Sequence, residues 1–450
     1  MRVRPRLGSG LRPADGRARR PPGGGGRVGR RVIRTAVTIS VGDELLAGET
    51  LDTHGRHLAA TLAARGCRVL EHRVEGDDAD AIAAAIRDAA NRVGLVVITG
   101  GLGPTLDDVS RDAVAHAMRS PLVEDAAARR DLEAWYAGRR RPMPGGNLRQ
   151  ALRPDAAICL ANPNGTAPGL QGRIGDTEIV VLPGPPREMH PMFERVLESL
   201  PLATPRPMIV VRASGIGESD AASLIESMME RDNDLPVATT VSQGVLSARI
   251  RGRDERDRGR IETMASTIES AWRPFVFGRG DVTLAEAVGF ELSRADLTLA
   301  TAESCTGGMI GGAITDVAGS SAWYRGGWVT YENRRKIEDL GVDPSVIERD
   351  GAVSKAVVAA MAVGAAKRAG ADLGIATSGI AGPDGGSADK PVGTVWIAVS
   401  HAGDVEARCF RFPGDRGVVR SRTVAMALQM IRFRATGVEA SLLWERTEAS

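Results

Sequence analysis

The sequence predicts an α/β protein: two large domains with a small α+β module between them. Three observations carry this expectation. Short apolar runs alternate with stretches of helical periodicity in both halves of the chain. A proline-rich stretch at 201–207 interrupts the pattern near the middle. No apolar run approaches the roughly 20 residues needed to span a bilayer.

The chain has 450 residues, enough for two or three domains. Hydrophobic residues make up 43% and charged residues 25%, an ordinary globular balance. Aromatics are only 4%, so Ala, Val, Leu and Ile must fill the cores. A net charge of +2 gives no strong field for nucleic acid or an anionic membrane. Cys67, Cys159, Cys305 and Cys409 are scattered and form no C-x-x-C pair. That argues against a disulfide framework or a zinc site and fits a reducing cytoplasm.

Residues 1–34 are rich in Arg, Gly and Pro, with too few large apolar groups to offset ordering entropy, and read as a disordered tail. Ala36–Val41 then reads as a buried strand and Thr53–Arg65 as a helix closed by Gly66. Cys67–Val74 reads as a strand, Ala79–Arg92 as a helix and Leu95–Thr99 as a fully apolar strand. This alternation predicts a parallel sheet covered by helices over 35–200. Beyond the prolines, 205–277 reads as strand (Met208–Arg212), helix (Asp220–Glu230), two strands ending at Arg251, and helix (Asp254–Trp272). A third domain, 281–440, opens with a helix over Thr283–Leu292, a strand over Leu297–Ala302 and a helical run over Thr306–Ile314.

Three segments of this last domain concentrate chemistry. In Thr301-Ala-Glu-Ser-Cys-Thr-Gly-Gly308, Ser304 falls between a strand and a helix, so unpaired helix N–H groups are expected beside it. Such donors suit an anion or a developing oxyanion, and Gly307 and Gly308 allow close approach. The same spacing also suits a helix-capping serine. In Val329-Thr-Tyr-Glu-Asn-Arg-Arg-Lys336, Tyr331 and Lys336 converge only if a loop leads into a helix. His401 is the sole histidine of this domain, so a Ser-His triad is not expected. A desolvated lysine can serve as base instead. Ser378-Gly-Ile-Ala-Gly-Pro-Asp-Gly-Gly386 offers a glycine loop, and Pro413–Arg420 supplies Arg416 and Arg420, either able to pair with a phosphate.

Read in order from Ala302 to Arg416, the blocks A-E-S-C-T-G-G, G-S-S-A-W, V-T-Y-x-N-x-x-K, G-A-V-S, S-G-I-A-G-P-D-G-G, K-P-V-G-T-V-W and G-D-R resemble the CinA (competence/damage-inducible protein A) family. The resemblance implies a carboxy-terminal amidase that hydrolyses nicotinamide mononucleotide to nicotinate mononucleotide and ammonia. It implies Ser304 as nucleophile, with Tyr331 and Lys336 completing the catalytic group and no metal in this domain. Thr306, Gly307, Gly308, Ser320, Gly382, Gly385, Gly386 and Arg416 would line the substrate. Backbone N–H groups near Thr306 and Gly307 would steady the oxyanion.

The amino-terminal half carries Gly42-Asp43-Glu44, Thr99-Gly-Gly-Leu-Gly-Pro-Thr-Leu-Asp-Asp108, Asn162-Pro-Asn-Gly-Thr166 and Leu182-Pro-Gly-Pro-Pro-Arg-Glu188. From Ala36 to Arg195 these resemble the molybdopterin-binding domain, a three-layer α/β/α fold, which in CinA proteins accompanies ADP-ribose pyrophosphatase activity. The resemblance implies a ligand site at Asp43, Gly100, Gly101, Gly103, Thr105, Asn164, Gly165, Thr166 and Gly184. A divalent metal ion is expected at Asp107 and Asp108, although capping is the default role for such aspartates. Asp52-Thr53-His54 departs from the N-T-N frequent in relatives. The middle unit resembles a KH-like module whose backbone clamp would be Ser214-Gly-Ile-Gly-Glu218. Glu218 brings negative charge there, so a spacer or dimer element is expected, not a nucleic-acid clamp. The expected partners are small nucleotides and a second copy of the chain. The alternative is a non-catalytic competence factor or a molybdopterin-binding protein.

Overall fold

The computed structural model describes residues 31–230 and 233–446, in two compact units, Met1–Pro205 and Arg206–Ser450. Most of the tail expected over 1–34 lies outside the described residues. Its last residues belong to the fold: Ile33 is buried and bridges to Leu202.

The first unit is built on six strands: β1 (Thr35–Val41), β2 (Arg68–Glu75), β3 (Leu95–Thr99), β4 (Ala157–Leu160), β5 (Gly169–Ile174) and β6 (Thr177–Leu182). Their order is β2-β1-β3-β6-β5-β4. Helices α1 (His54–Ala64), α2 (Ala79–Ala90), α3 (Ser110–Met118) and α4 (Pro186–Ser199) cover both faces. Alternation along the strands divides the core: Val37, Ile39, Val96 and Ile98 pack with Ile82, Ile86 and Val114, whereas Ala36, Leu95 and Val97 pack with Leu58, Leu62, Met189 and Phe193. The expected parallel sheet is in fact mixed. β1, β2, β3 and β6 are parallel, but β4–β5–β6 is an antiparallel meander. A turn as short as the one between β5 and β6 can join only antiparallel neighbours.

In the second unit, β7 (Met208–Ser214), β8 (Val237–Ser242), β9 (Val245–Arg251) and β10 (Val276–Arg279) form an antiparallel sheet in the order β8-β9-β7-β10. Helix α5 (Arg258–Ala271) packs on it through Ile261, Ala265 and Ile268. The helix expected over Asp220–Glu230 is two pieces, Glu218–Ser223 and Glu226–Met229. It breaks at Ile225, which leaves helical geometry and is buried in the module core.

The rest of this unit is a second six-stranded sheet, β12-β11-β13-β14-β15-β16, made of β11 (Leu299–Glu303), β12 (Tyr324–Val329), β13 (Leu373–Gly379), β14 (Thr394–His401), β15 (Asp404–Arg411) and β16 (Glu445–Arg446). β11, β12 and β13 run parallel, and the others are antiparallel. Helices α6 (Leu284–Arg294), α7 (Met309–Thr315) and α10 (Arg416–Thr436) cover one face. Helices α8 (Asn333–Leu340) and α9 (Lys355–Ala369) cover the other. α10 also faces the small sheet: the Gln429 amide donates to the Ser214 carbonyl at 3.0 Å, and Arg432 donates to the Pro274 carbonyl. Gly215 is packed so tightly that an added Cβ would meet Leu442 at 2.4 Å. The turn Ser214–Glu218, where a KH-like clamp would lie, is therefore covered by the unit's own chain.

Candidate active site

Register places the chemistry at one end of the second large sheet. Glu303, the last residue of β11, pairs with Val329 on β12 and Thr377 on β13, so three loops leave the carboxyl ends of three parallel strands side by side. Ser304 follows β11, Thr330 and Tyr331 follow β12, and the glycine loop follows β13. His401 pairs with Leu373 at the opposite end of the sheet.

Ser304 and Lys336 meet. The Lys336 Nζ lies 3.2 Å from the Ser304 Oγ. It also donates to the backbone carbonyls of Thr330 at 2.8 Å and Tyr331 at 3.2 Å. Lys336 is only 1% exposed, and burial lowers its pKa below the ordinary lysine value. A neutral amine has two N–H bonds and one lone pair. As an ammonium, Nζ donates to all three oxygens; in the neutral form the two carbonyls would take both N–H bonds and leave the lone pair toward Ser304. A loop entering α8 does bring Tyr331 and Lys336 together, but through the tyrosine backbone. The Tyr331 phenol is exposed and accepts from an Arg416 Nη2 at 2.9 Å, and it makes no hydrogen bond to Ser304 or Lys336.

The expected free helix terminus is also corrected. α7 begins at Met309, not Thr306, because Gly307 and Gly308 take positive φ values of 59° and 93°. The buried Glu303 carboxylate accepts from the N–H groups of Gly308 (3.0 Å), Ile310 (3.0 Å) and Gly311 (2.8 Å). The helix terminus is thus satisfied from within. Gly307 N–H closes a turn onto the Ser304 carbonyl at 3.1 Å, and Ser304 N–H donates to Thr377. Gly307 is therefore not an oxyanion donor as expected. Among the described residues, the N–H groups of Cys305 and Thr306 have no oxygen partner; they face the Cys305 sulfur, a thiol that burial pushes up to about 12.

Arg416 donates to the Gly382 carbonyl at 2.8 Å, so it ties the glycine loop to Tyr331 at the mouth of the site while staying exposed. Gly382 and Gly385 take positive φ, and at Gly386 a Cβ would meet the Val392 nitrogen at 2.9 Å. Thr306 is buried and its hydroxyl bonds Thr377 at 2.9 Å. Ser320 lies in a short 3-10 turn, and no hydrogen bond joins it to Ser304, Lys336 or Arg416. Two groups that sequence reasoning missed are Glu303 and the carbonyl contacts of Arg420. An acid directly before the serine was the available signal for the first.

In the amino-terminal unit, Gly100, Gly101, Gly103, Thr166 and Gly184 line a cavity of about 560 Å³. Asp43 accepts from the Asp77 N–H at 3.1 Å. Burial, with Asp43, Glu44 and Asp107 nearby, raises the Asp77 pKa. Asn164 donates to the Arg187 carbonyl, and Gly165 lies where a Cβ would collide with Glu188. Asp108 accepts from the Gly103 N–H (2.7 Å), the Thr105 N–H (2.8 Å) and the Thr105 hydroxyl. Those amides are therefore not free for a phosphate, and Asp108 is committed to closing its loop. Asp107 is held below the usual carboxylate range by Thr105. Among the described residues, no three His, Cys, Asp or Glu side chains form a metal-ligating group. No helix of the described residues is long and apolar enough to cross a membrane.

Comparison with known proteins agrees with both halves of this description. The CinA C-terminal domain family matches residues 281–434, and the probable molybdopterin binding domain family matches 37–202. A putative competence-damage inducible protein of Moorella thermoacetica is 40% identical over 404 residues, covering 88% of this chain and 97% of its own. One from Symbiobacterium thermophilum is 41% identical over 416 residues, covering 88% and 98%. A crystal structure of the competence/damage inducible protein CihA from Agrobacterium tumefaciens is 42% identical, covers 34% of this chain and 93% of its own, and has a TM-score of 0.33. Matched by one domain family in each half, and by relatives along most of its length, the chain belongs to the CinA family.

Proposed function

We propose that the carboxy-terminal domain is an amidohydrolase that converts nicotinamide mononucleotide to nicotinate mononucleotide and ammonia. The observation that carries this reading is the buried Lys336 amine 3.2 Å from Ser304 Oγ, held also by the Thr330 and Tyr331 carbonyls. Neutral Lys336 takes the hydroxyl proton as Oγ bonds to the carboxamide carbon. The Cys305 and Thr306 N–H groups receive the oxyanion. The carbon–nitrogen bond then breaks, and Lys336 returns its proton to the leaving ammonia. Water, deprotonated by the same amine, splits the acyl-serine and restores Ser304. Arg416, exposed at the mouth, would pair with the substrate phosphate, and the ribose would lie against the backbone of the glycine loop.

Ser304→Ala tests the reading: ammonia release from nicotinamide mononucleotide should fall by on the order of 10⁴ or more, as when a serine nucleophile is removed. A variant that keeps near-normal release would refute it. For the amino-terminal cavity we keep the reading of an ADP-ribose site without assigning a metal. ADP-ribose cleavage titrated with divalent ions, beside a chelator-insensitive amidase, would support it. A protein with neither activity would be the non-catalytic family member.

A further inference from the structure

We propose that Arg420 is a positioning residue of the Ser304 centre, fixing the turn that carries the nucleophile rather than binding the substrate phosphate. The inference rests on the reading of Ser304 as an acylating nucleophile.

Arg420 stands on α10, one turn after the exposed Arg416. Its Nε donates to the Cys305 carbonyl at 3.1 Å and its Nη2 to the Thr306 carbonyl at 2.9 Å. These are the central residues of the turn that Gly307 N–H closes onto the Ser304 carbonyl. In a trans peptide the N–H points opposite to the C=O. Holding the Cys305 carbonyl therefore aims the Thr306 N–H away from α10. Holding the Thr306 carbonyl aims the Gly307 N–H at Ser304. The turn is thus held from two sides, with Glu303 taking the N–H groups beyond it and Arg420 taking the carbonyls within it. What these contacts leave without an oxygen partner is the pair of N–H groups of Cys305 and Thr306 beside the nucleophile, which face the Cys305 sulfur. Gly307 belongs to the same arrangement, since a Cβ there would stand 3.3 Å from the Arg420 Nη2. A planar guanidinium can bridge two successive carbonyls, which an ammonium cannot do in the same geometry.

The test uses the full chain with Arg420→Ala and Arg420→Lys. Expected for Arg420→Ala is a fall in kcat of about 100-fold, the size of losing one oxyanion donor, with KM moved by less than about threefold. Ethylguanidinium in solution should restore part of that kcat, and Arg420→Lys should fall between. A second readout needs no nucleotide: the rate at which an alkyl fluorophosphonate labels Ser304, followed by intact mass. In that step the Oγ–P bond forms, fluoride leaves and Lys336 takes the proton. The probe has no distal phosphate, so a phosphate-binding arginine would not affect it. Slowed labelling in Arg420→Ala supports the proposal. Labelling at the wild-type rate, or a raised KM with unchanged kcat, overturns it. If the wild type is labelled and the variants are slow, yet nicotinamide mononucleotide releases no ammonia, the substrate assignment fails and the positioning role stands. If Arg420→Ala does not fold, the lysine variant carries both comparisons.

Discussion

At the scale of single residues, the proposed reaction depends on one amine being neutral. Lys336 is buried and its pKa is lowered, so kcat/KM should rise with pH through that pKa and level off above it. The linkage to stability has a definite sign. The unfolded lysine, with a pKa near roughly 10.4, binds its proton more tightly than the folded one. Stability should therefore rise between the folded and unfolded pKa values, and the cost of the buried charge is fully present below both. Lys336→Met, which keeps volume and removes the charge, should abolish ammonia release without lowering Tm. A Tm loss of several degrees would instead make the amine a structural brace. Ser304, Tyr331 and Lys336 were legible as candidates because the ordered blocks resemble those of the CinA family. Their roles were not equally legible. The Tyr331 phenol is engaged with Arg416, and its carbonyl is what reaches Lys336. No pattern of residue types reveals that a backbone oxygen is the working atom.

At the scale of elements, the reach of Lys336 depends on how closely α8 lies against α9. Gly364 on α9 permits that approach, since a Cβ there would meet the Leu340 carbonyl, at the end of α8, at 2.2 Å. Gly364→Ala should push α8 outward, cost about 1–3 kcal/mol as overpacking does, and lower kcat more than KM. Thermal melts and steady-state ammonia release read the two effects. Unchanged kcat would show that α8 does not set the distance between Ser304 and Lys336. The same scale explains two misread elements. The start of α7 was placed three residues early because helical periodicity does not register two glycines at positive φ. The antiparallel strands β4 and β5 were missed because the parallel pattern before them suggested more of the same.

At the scale of the whole molecule, the small sheet and the carboxy-terminal domain form one unit. Gln429 and Arg432 on α10 find their acceptors at Ser214 and Pro274, and Gly215 accommodates Leu442. A piece spanning 206–450 should keep the kcat and KM of the full chain. A piece spanning 281–450 would leave the buried Gln429 without its carbonyl partner and uncover Leu442, so it should melt lower. Equal melting of the two pieces would mean that the small sheet does not support α10.

The sequence alone determined the α/β class and the alternation of strands and helices, and it marked out candidate side chains for chemistry, because periodicity and motif spacing are local properties. Only the tertiary structure decided which of those groups meet. The register of β11 against β12 and β13 sets Ser304 beside the Thr330–Tyr331 loop. The Glu303 carboxylate fills the helix terminus expected to be open, and Asp108 turns inward to its own loop. Hydrogen-bond partners are allotted by proximity between segments distant in sequence, so a donor that reads as free along the chain can already be taken in the fold.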